Sequence, residues 1–506
     1  MKGTISAGDK LTAEAGASVL KKGGNAFDAV IAAAFAAPLT EPALTSLGGG
    51  GFLLAVGEGY LPTLYDFFVD VPPNRVENPD FYPVYVDFGS TVQEFHIGCG
   101  SVAVPGMVAG LLRVHQERGK LPLKEVIKPA VKYAREGIFL SKMQSSFVEL
   151  LKPIFTATEE ARRIYAPDGN LINHKKLFKN PEYGEFLEYL AEKGSWVFYE
   201  GEIADKIEEI SIKKGGLLRK KDLQRYTVYE KDPILFTFRG YEILTNTPPS
   251  PGGILIAFTL KLLEKKELKD FGSLNHVSSL IESMHTTQIF RREKVDKNIY
   301  KEGLELILEN KEIFEKYSVF FEKRLNLWGN TTHISAIDEE GNAVSMTTTN
   351  GEGSGCIIPG TGIMLNNMLG EEDLNPEGFF KHPPYVRLPS MMSPTVALKD
   401  KRPFLVLGSA GSNRIRSAIV QTILNVLVFG KEIKEAIDLP RIHYENHTVF
   451  FEPGYKKEII EKSKELYETV LFKEKSLFFG GVQAVMGDFS GAGDPRRGGY
   501  SITVKD

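Results

Sequence analysis

The stretch Asn330-Thr331-Thr332-His333-Ile334-Ser335-Ala336-Ile337-Asp338 decides how the rest of the chain is interpreted. Its apolar and β-branched residues alternate with polar ones, which predicts a strand that begins at or near Thr331. A turn at 339–342 and a second alternating run at 343–349 complete a hairpin. By itself this hairpin is typical of an ordinary sheet, because threonine is common in strands.

A cut before Thr331 would create a possible catalytic residue, because Thr331 would then carry both a hydroxyl nucleophile and a free α-amino group. An α-amine has an ordinary pKa of about 7.7–8.0, so it can accept a proton near neutrality. Threonine activated by its own N-terminal amine is an established nucleophile. The segment alone leaves both interpretations open.

Composition is that of a globular protein without a polyanionic partner. The chain has 506 residues, of which 42% are hydrophobic and 25% are charged, enough for a large core. The net charge of −4 gives no case for nucleic acid or an anionic membrane as partner. Cys99 and Cys356 form neither a metal-type nor a redox-type sequence pair. The richness in Lys and Glu is compatible with a heat-adapted protein.

The apolar segments favour a soluble, cytoplasmic chain. No apolar signal core precedes the first helical pattern. The longest apolar runs, 26–39 and 418–429, are too short for a bilayer span, and the first is expected to end at Pro38. A periplasmic or secreted location would require a signal that was removed from this sequence.

The chain has a helix-rich first part and a strand-rich last part. Helical patterns cover 11–22, 26–37, 106–118, 123–136, 142–151 and 254–264 and continue to about residue 323, and strand-like runs cover 52–56, 63–69 and 233–246. Short strands and glycine loops follow Thr331. Since no repeat, low-complexity tail or flexible linker separates the parts, we expect one co-folded body.

Two glycine-rich loops are candidates for close backbone approach. Residues 48–51 are four glycines, but no Gly-Lys-Ser/Thr follows, so a tight loop at a pocket wall or a structural turn is favoured over a nucleotide site. Residues 408–413 (GSAGSN) open a helix, and its first N–H groups could face an oxyanion or carboxylate. Many helix starts have no such role.

Taken in order, these segments resemble the gamma-glutamyltranspeptidase family of N-terminal-nucleophile hydrolases over nearly the whole chain. The carriers are AEAGASVLKKGGNAFDAV with EPALTSLGGGGF, SVAVPGMVAGL, GKLPLKEVIKPAVKYAREG, PPSPGG, TTHISAIDEEGNAVS, LNN, SMMSPT, GSAGSNRI and GAGDPRRGGY. The resemblance implies an α+β fold, a four-layer αββα sandwich. It also implies a precursor that cleaves itself between Asn330 and Thr331 into a large fragment, 1–330, and a small fragment, 331–506.

The resemblance assigns catalytic roles near this cut. Thr331 would attack the donor amide through Oγ, and its new α-amine would take and return the proton. Thr349 matches a threonine that bonds the nucleophile and assists processing. The N–H groups of Gly411 and Ser412 match oxyanion donors, each typically worth about 3–4 kcal/mol of barrier. The family has glycine at Ser412, and we expect the change to be tolerated because the backbone makes the contribution.

The residues that would hold the donor's head group depart from the family pattern. Phe68 stands where an arginine grips the glutamyl α-carboxylate, and Ser390 and Met391 stand where two serines hold the same group. Losing a guanidinium removes a bidentate clamp. The glutamine and aspartate for the α-amino group fall at Met368 and Glu371, so one carboxylate persists. Asn350 and Asn367 complete the implied substrate-binding set, beside a shorter lid loop.

The resemblance therefore implies a glutathione hydrolase-like γ-glutamyltransferase that passes an acyl group to water or an amine, without cofactor or metal. Its partners would be a small-molecule acyl-amide donor, an acceptor, and the two fragments of its own chain as a heterodimer. The altered pocket keeps open an acylase of the same fold with a different donor. A non-catalytic, unprocessed relative is the third alternative.

Other polar residues are weaker candidates. His333 adjoins the proposed nucleophile, but an N-terminal threonine needs no histidine. His443 and His447 are four residues apart, without a helical pattern or a third ligand, which argues against a metal site. Arg496 and Arg497 favour a structural ion-pair cluster over a substrate site.

Overall fold

The computed structural model describes residues 1–87, 92–309 and 330–505. Within these ranges the strands are β1 (Gly3–Ala7), β2 (Gly50–Val56), β3 (Thr63–Phe67), β4 (Tyr82–Asp87), β5 (Val92–Ile97), β6 (Tyr229–Lys231), β7 (Ile234–Phe238), β8 (Tyr241–Thr245), β9 (Thr332–Asp338), β10 (Ala343–Thr349), β11 (Ile357–Ile358), β12 (Ile363–Met364), β13 (Thr395–Lys399), β14 (Arg402–Ala410), β15 (Ile442–Glu445), β16 (Thr448–Phe451), β17 (Glu468–Leu471), β18 (Gly481–Met486), β19 (Gly491–Gly493) and β20 (Tyr500–Val504).

The α-helices in the same ranges are α1 (Lys10–Lys21), α2 (Ala26–Thr40), α3 (Met107–Arg118), α4 (Leu123–Glu136), α5 (Lys142–Leu150), α6 (Lys152–Phe155), α7 (Glu159–Tyr165), α8 (Pro181–Lys193), α9 (Trp196–Tyr199), α10 (Glu202–Lys213), α11 (Lys220–Gln224), α12 (Pro251–Glu264), α13 (Leu274–Phe290), α14 (Arg414–Leu427), α15 (Ile433–Asp438) and α16 (Lys457–Lys464). No described helix is long and apolar enough to cross a membrane.

Two antiparallel sheets form the centre of the molecule. The first has the strand order β20-β1-β9-β10-β2-β3-β6, and the second has the order β19-β18-β14-β13-β8-β7. Strands β9 and β10 face β14 and β18 across the space between the sheets. Helices α1, α2 and α3 cover the outer side of the first sheet, and α12 and α14 cover the second. This arrangement confirms the predicted four-layer αββα sandwich.

One predicted boundary is wrong and one lies outside the described residues. Helix α2 continues through Pro38 to Thr40 instead of ending before the proline. Proline removes only its own N–H donor, and the last turn is held by the Glu41 N–H on the Ala37 carbonyl (2.7 Å) and by the Thr40 hydroxyl on Thr12 (2.6 Å). The helical continuation predicted to residue 323 falls partly on residues 310–329, outside the described ranges.

Candidate active site

Strand pairing brings Thr331 and Thr349 to the same end of the first sheet. Thr332 opens β9 and lies opposite Thr348, the penultimate residue of β10. Thr331 therefore lies just before the start of a central strand, with Thr349 at the end of its neighbour. Both threonines are buried, with 5% and 7% of their surface exposed, yet both line a cavity that opens beside the strand ends.

The hydroxyl of Thr349 is directed at the peptide bond that precedes Thr331. It donates a hydrogen bond to the carbonyl oxygen of Asn330. The backbone N–H of Gly351 donates to Thr349 Oγ1 (3.0 Å), which fixes the position of this oxygen. A hydroxyl held in this way stabilises negative charge that develops on the carbonyl oxygen during nucleophilic attack.

The opposite side of the strand is anchored to a buried carboxyl group. Thr332 donates to Glu41 Oε2 (2.6 Å), and Thr12 donates to Glu41 Oε1 (2.6 Å). Burial raises the pKa of Glu41 to about 7, with the nearby charge of Asp9 as the second cause. This cluster ties the start of β9 to α1 and to the end of α2.

The four glycines at 48–51 explain how the strands beside the threonines pack so closely. Gly50 and Gly51 form the start of β2, so the predicted turn is in part a central strand. A Cβ atom on Gly49 would lie 2.1 Å from the Thr349 carbonyl oxygen, and one on Gly51 would lie 2.5 Å from that of Thr347. Neighbouring backbone atoms leave no room for side chains there. This close packing explains the run of glycines, and no bound ligand is needed to explain it.

The glycine loop before α14 has an unusual backbone at two consecutive residues. Gly411 has a φ of +119° and Ser412 a φ of +50°, just before the helix begins at Arg414. Glycine adopts such angles freely, whereas a left-handed conformation costs serine about 1–2 kcal/mol. The Ser412 hydroxyl donates to Asp373 Oδ2, which holds the residue in this conformation. The two backbone N–H groups lie near the positive end of the α14 dipole.

A cavity of about 490 Å³ joins these features. Its walls include most of the residues that the sequence singled out: Phe68, Asn330, Thr331, Thr349, Glu371, Ser390, Met391 and Ser412. Gly411, Asn350 and Asn367 are not lining residues. Sequence reasoning missed Asp373, which also lines the cavity, although the acidic run 371–373 was a visible signal for it.

One end of the cavity is acidic. Burial raises the pKa of Glu371 well above its ordinary value, and the charges of Glu352 and Asp373 raise it further. Burial raises the pKa of Glu352 to about 8. Oε1 of Glu371 is buried and has no hydrogen-bond partner within the described residues.

Two of the positions that depart from the family pattern line the cavity with apolar side chains, Phe68 and Met391. Phe68 lines the cavity but is fully buried, and it stacks on Phe52 with 5.5 Å between ring centroids. Met391 is half-buried, and Ser390 is buried with its Oγ accepting the Met392 N–H (3.1 Å). These contacts present rings and thioethers to a ligand where a carboxylate clamp was the family expectation.

The two predicted asparagines and Met368 support the loops behind the cavity. Asn367 Oδ1 accepts the N–H groups of Glu352 (2.9 Å) and Gly353 (3.2 Å). The Asn350 amide nitrogen lies 3.5 Å from two backbone carbonyl oxygens, and its Oδ1 is buried without a partner in the described part of the chain. Met368 is fully buried in the core.

The weaker candidates form contacts that support the fold. His333 lies between the sheets, where its ring nitrogens contact Thr347 (2.8 Å) and Ser335 (2.9 Å) and burial lowers its pKa to about 3. His443 contacts Ser417 on α14 (2.7 Å). Arg496 forms buried ion pairs with Glu452 and Asp494, as predicted. No group of described residues is arranged to hold a metal ion.

Comparison with known proteins finds relatives that match nearly the whole chain. The chain is 29% identical over 541 residues to a glutathione hydrolase proenzyme of Bacillus subtilis (strain 168), covering 99% of this chain and 91% of that protein. It is 30% identical over 512 residues to the capsule biosynthesis protein CapD proenzyme of Bacillus anthracis, covering 98% and 90%.

The fold is also that of a solved acylase. The crystal structure of a cephalosporin acylase from Bacillus halodurans superposes with a TM-score of 0.85 at 23% identity, covering 100% of this chain and 96% of the other. The sequence model of the gamma-glutamyltranspeptidase family matches residues 12–504. A match from the first helix to the last strand, with both threonines on one cavity, means that this chain belongs to the gamma-glutamyltranspeptidase family of enzymes.

Proposed function

We propose that the protein is a self-processing γ-glutamyltransferase or glutathione hydrolase-like amidase that uses Thr331 as its nucleophile. The observation that carries the proposal is the hydrogen bond from Thr349 to the Asn330 carbonyl, on a cavity that Thr331 also lines. A carbonyl activated beside a hydroxyl nucleophile is the arrangement that self-cleavage requires.

Processing begins with attack of Thr331 Oγ on the carbonyl carbon of Asn330. The C–O bond forms, the C–N bond breaks, and the hydroxyl proton moves to the departing nitrogen, which becomes the α-amine of Thr331. Water then hydrolyses the resulting ester, leaving a carboxylate on Asn330 and a free hydroxyl on Thr331. The products are fragments 1–330 and 331–506, which stay together as a heterodimer.

Turnover uses the same hydroxyl with the newly released amine as its base. The α-amine takes the Thr331 proton while Oγ attacks the donor amide, and the N–H groups of Gly411 and Ser412 stabilise the oxyanion. The proton passes to the leaving amine, which departs and leaves an acyl ester on Thr331. Attack by water completes hydrolysis, and attack by an amino acid or peptide amine completes transfer.

The donor class follows from the relatives and from the cavity. Relatives named glutathione hydrolase proenzyme support a γ-glutamyl donor and a processed precursor. The same-fold acylase, with the apolar Phe68 and Met391 in this cavity, supports the second candidate, an acyl group other than γ-glutamyl.

Acyl-enzyme trapping tests this proposal. Purified protein is mixed with a γ-glutamyl anilide or a glutaryl anilide, quenched in acid during turnover, and the small fragment is weighed by mass spectrometry. We expect an acyl adduct on Thr331 with at least one donor, and no adduct in a Thr331→Ala variant. Release of the aniline by the Thr331→Ala variant at the native rate would refute the assigned nucleophile.

A further inference from the structure

The acidic end of the cavity has an unmet capacity to accept hydrogen bonds. Glu371 and Asp373 line this end, and Glu371 Oε1 is buried with no partner in the described residues. Burying a carboxyl oxygen without a hydrogen bond is costly. A donor group that enters the cavity and bonds this oxygen would remove the cost.

The unpaired oxygen lies next to the loop that holds Thr349. A Cβ atom on Gly351 would lie 2.3 Å from Glu371 Oε1. The N–H of the same glycine donates to Thr349 Oγ1 (3.0 Å). A short acyl chain can therefore place its carbonyl at the threonines and its far end at Glu371.

The described lining of the cavity offers little to a carboxylate. Phe68 and Met391 present apolar surface. Arg387 is also buried, but its guanidinium donates to Asp70 (2.7 Å), Asp66 (2.9 Å) and the Thr227 carbonyl (2.7 Å). Because the guanidinium already donates to these protein acceptors, Arg387 does not take the role of the arginine that the family has at the position of Phe68.

Among the described residues, the cationic side chains that line the cavity are Arg291, Lys297, Lys301 and Lys381. The three lysines are exposed to solvent, where a single ion pair contributes little. Arg291 donates to Asp296 (3.2 Å) and to Asn413 (3.1 Å). Among the described lining residues, carboxyl groups are thus buried, whereas the cationic groups are either exposed or already paired.

We infer that the preferred donor acyl group carries an ammonium group and lacks an α-carboxylate, as a 4-aminobutyryl group does; this inference rests on the proposed function. The 4-aminobutyryl group keeps the same number of bonds between carbonyl and nitrogen as a γ-glutamyl group. Its ammonium donates to Glu371 Oε1, and its methylene groups pack on Met391, which is half-buried. The group also lacks the α-carboxylate, for which the described lining residues provide no buried, unpaired cation.

Four p-nitroanilides test this inference because they vary the two groups independently. They are 4-aminobutyryl, γ-glutamyl, glutaryl and butyryl, which carry the amine alone, both groups, the carboxylate alone and neither group. We expect kcat/KM for the 4-aminobutyryl donor to exceed each of the others at least tenfold. A hydrogen bond to a charged group, worth about 1.5–3 kcal/mol, corresponds to about a 10- to 150-fold change.

Substitution of Glu371 tests whether this residue binds the ammonium group. Glu371→Gln keeps the shape but cannot ionise beside the ammonium, and we expect the ratio of 4-aminobutyryl to butyryl kcat/KM to fall at least tenfold. Glu372→Gln is the matched control, because Glu372 is exposed and does not line the cavity; its ratio should match the native ratio.

The outcomes separate this inference from the proposed function. A processed enzyme that prefers the γ-glutamyl, glutaryl or butyryl donor, or that cleaves none of the four, overturns the inference and leaves the nucleophile in place. An unprocessed chain without activity overturns both.

A second, independent observation concerns Cys99 and Cys356. They form a disulfide across 257 residues, with 5.5 Å between their Cα atoms, and both are buried. The backbone beside the bond also joins the two segments, because the Gly98 N–H donates to the Ser354 carbonyl (2.9 Å). The two cysteines lie on opposite sides of the proposed cut.

We propose that this disulfide links the two fragments covalently after self-cleavage. Gel electrophoresis with and without reductant, combined with Edman sequencing for a Thr331 N-terminus, tests this link. We expect a single band without reductant, two bands with reductant, and two bands in both lanes for a Cys356→Ala variant. Two bands without reductant in the native protein would overturn the link.

If the chain stays uncut, alkylation of free cysteines still tests whether Cys99 and Cys356 form a disulfide. Denatured, unreduced protein should take up no iodoacetamide, and reduced protein should take up two equivalents, one for each cysteine. Uptake before reduction would show that the cysteines are unpaired and would refute the proposal. A chain that is uncut but disulfide-bonded would refute the proposed self-cleavage alone.

Discussion

The hydroxyl of Thr349 is one of two residue-level features on which the proposed chemistry depends. It bonds the Asn330 carbonyl, the group that self-cleavage must activate. We expect Thr349→Val to slow processing by about 10²–10³-fold, the usual effect of losing one oxyanion donor. Intact mass followed over time after purification measures the rate.

Thr348 supplies the matched control for that experiment. It is the preceding residue on β10, and its hydroxyl contacts Thr45 (3.1 Å) rather than the Asn330 carbonyl. Thr348→Val should process at close to the native rate. Equal rates for the two valine variants would contradict the role given to Thr349.

Ser412 is the second residue-level feature, because its backbone N–H is proposed to act while its side chain is not. Ser412→Gly removes a left-handed strain of about 1–2 kcal/mol and a hydrogen bond to the Asp373 carboxylate worth about 1.5–3 kcal/mol, so the two effects largely offset each other. We therefore expect kcat within about threefold of the native value and little change in the melting temperature. A loss of more than about tenfold in kcat would show that the hydroxyl itself takes part.

At the level of elements, the contact of α2 with β9 makes stability depend on pH. The pKa of Glu41 is raised from 4.5 to about 7, so the folded chain keeps a proton that the unfolded chain releases. The free energy of unfolding therefore falls as pH rises from about 4.5 to about 7, by about 3 kcal/mol at its full extent.

Glu41→Gln tests this dependence, because glutamine stays neutral. In a Thr331→Ala background, which keeps one chain, we expect the variant to gain about 3 kcal/mol relative to its parent between about pH 4.5 and about pH 8. Urea unfolding at the two pH values measures the change. The same difference between variant and parent at both pH values would contradict the raised pKa.

At the level of the whole molecule, the two proposed fragments share both sheets. Strands β9 and β10 of the small fragment lie between β1 and β2 of the large one, and β13 lies beside β8. Separating the fragments would break both sheets and expose the core between them. We expect a processed Cys356→Ala variant, which lacks the disulfide, to elute as one species with both fragments in equal amounts.

Separate elution of the fragments in native buffer would contradict that account of the fold. Separation only in denaturant is the expected result, since the hydrogen bonds between strands and the buried core break together.

Sequence alone predicted the sandwich, the hairpin and part of the cavity wall, because these depend on local periodicity and on an ordered set of family segments. It placed Thr331 and Thr349 at adjacent strand ends, since a hairpin fixes that register. It could not pair Cys99 with Cys356, because their approach depends on tertiary folding over 257 residues. It also missed the hydrogen bond from Ser412 to Asp373 and the course of α2 through Pro38, which depend on packing.

The most direct test of the central claim is the intact mass of the purified, reduced protein, with Edman sequencing of its N-termini. The account predicts two fragments, one ending at Asn330 and one beginning at Thr331, and a single uncut chain for Thr331→Ala. A native chain that remains whole under all conditions, or a cut at another bond that persists in Thr331→Ala, would contradict it.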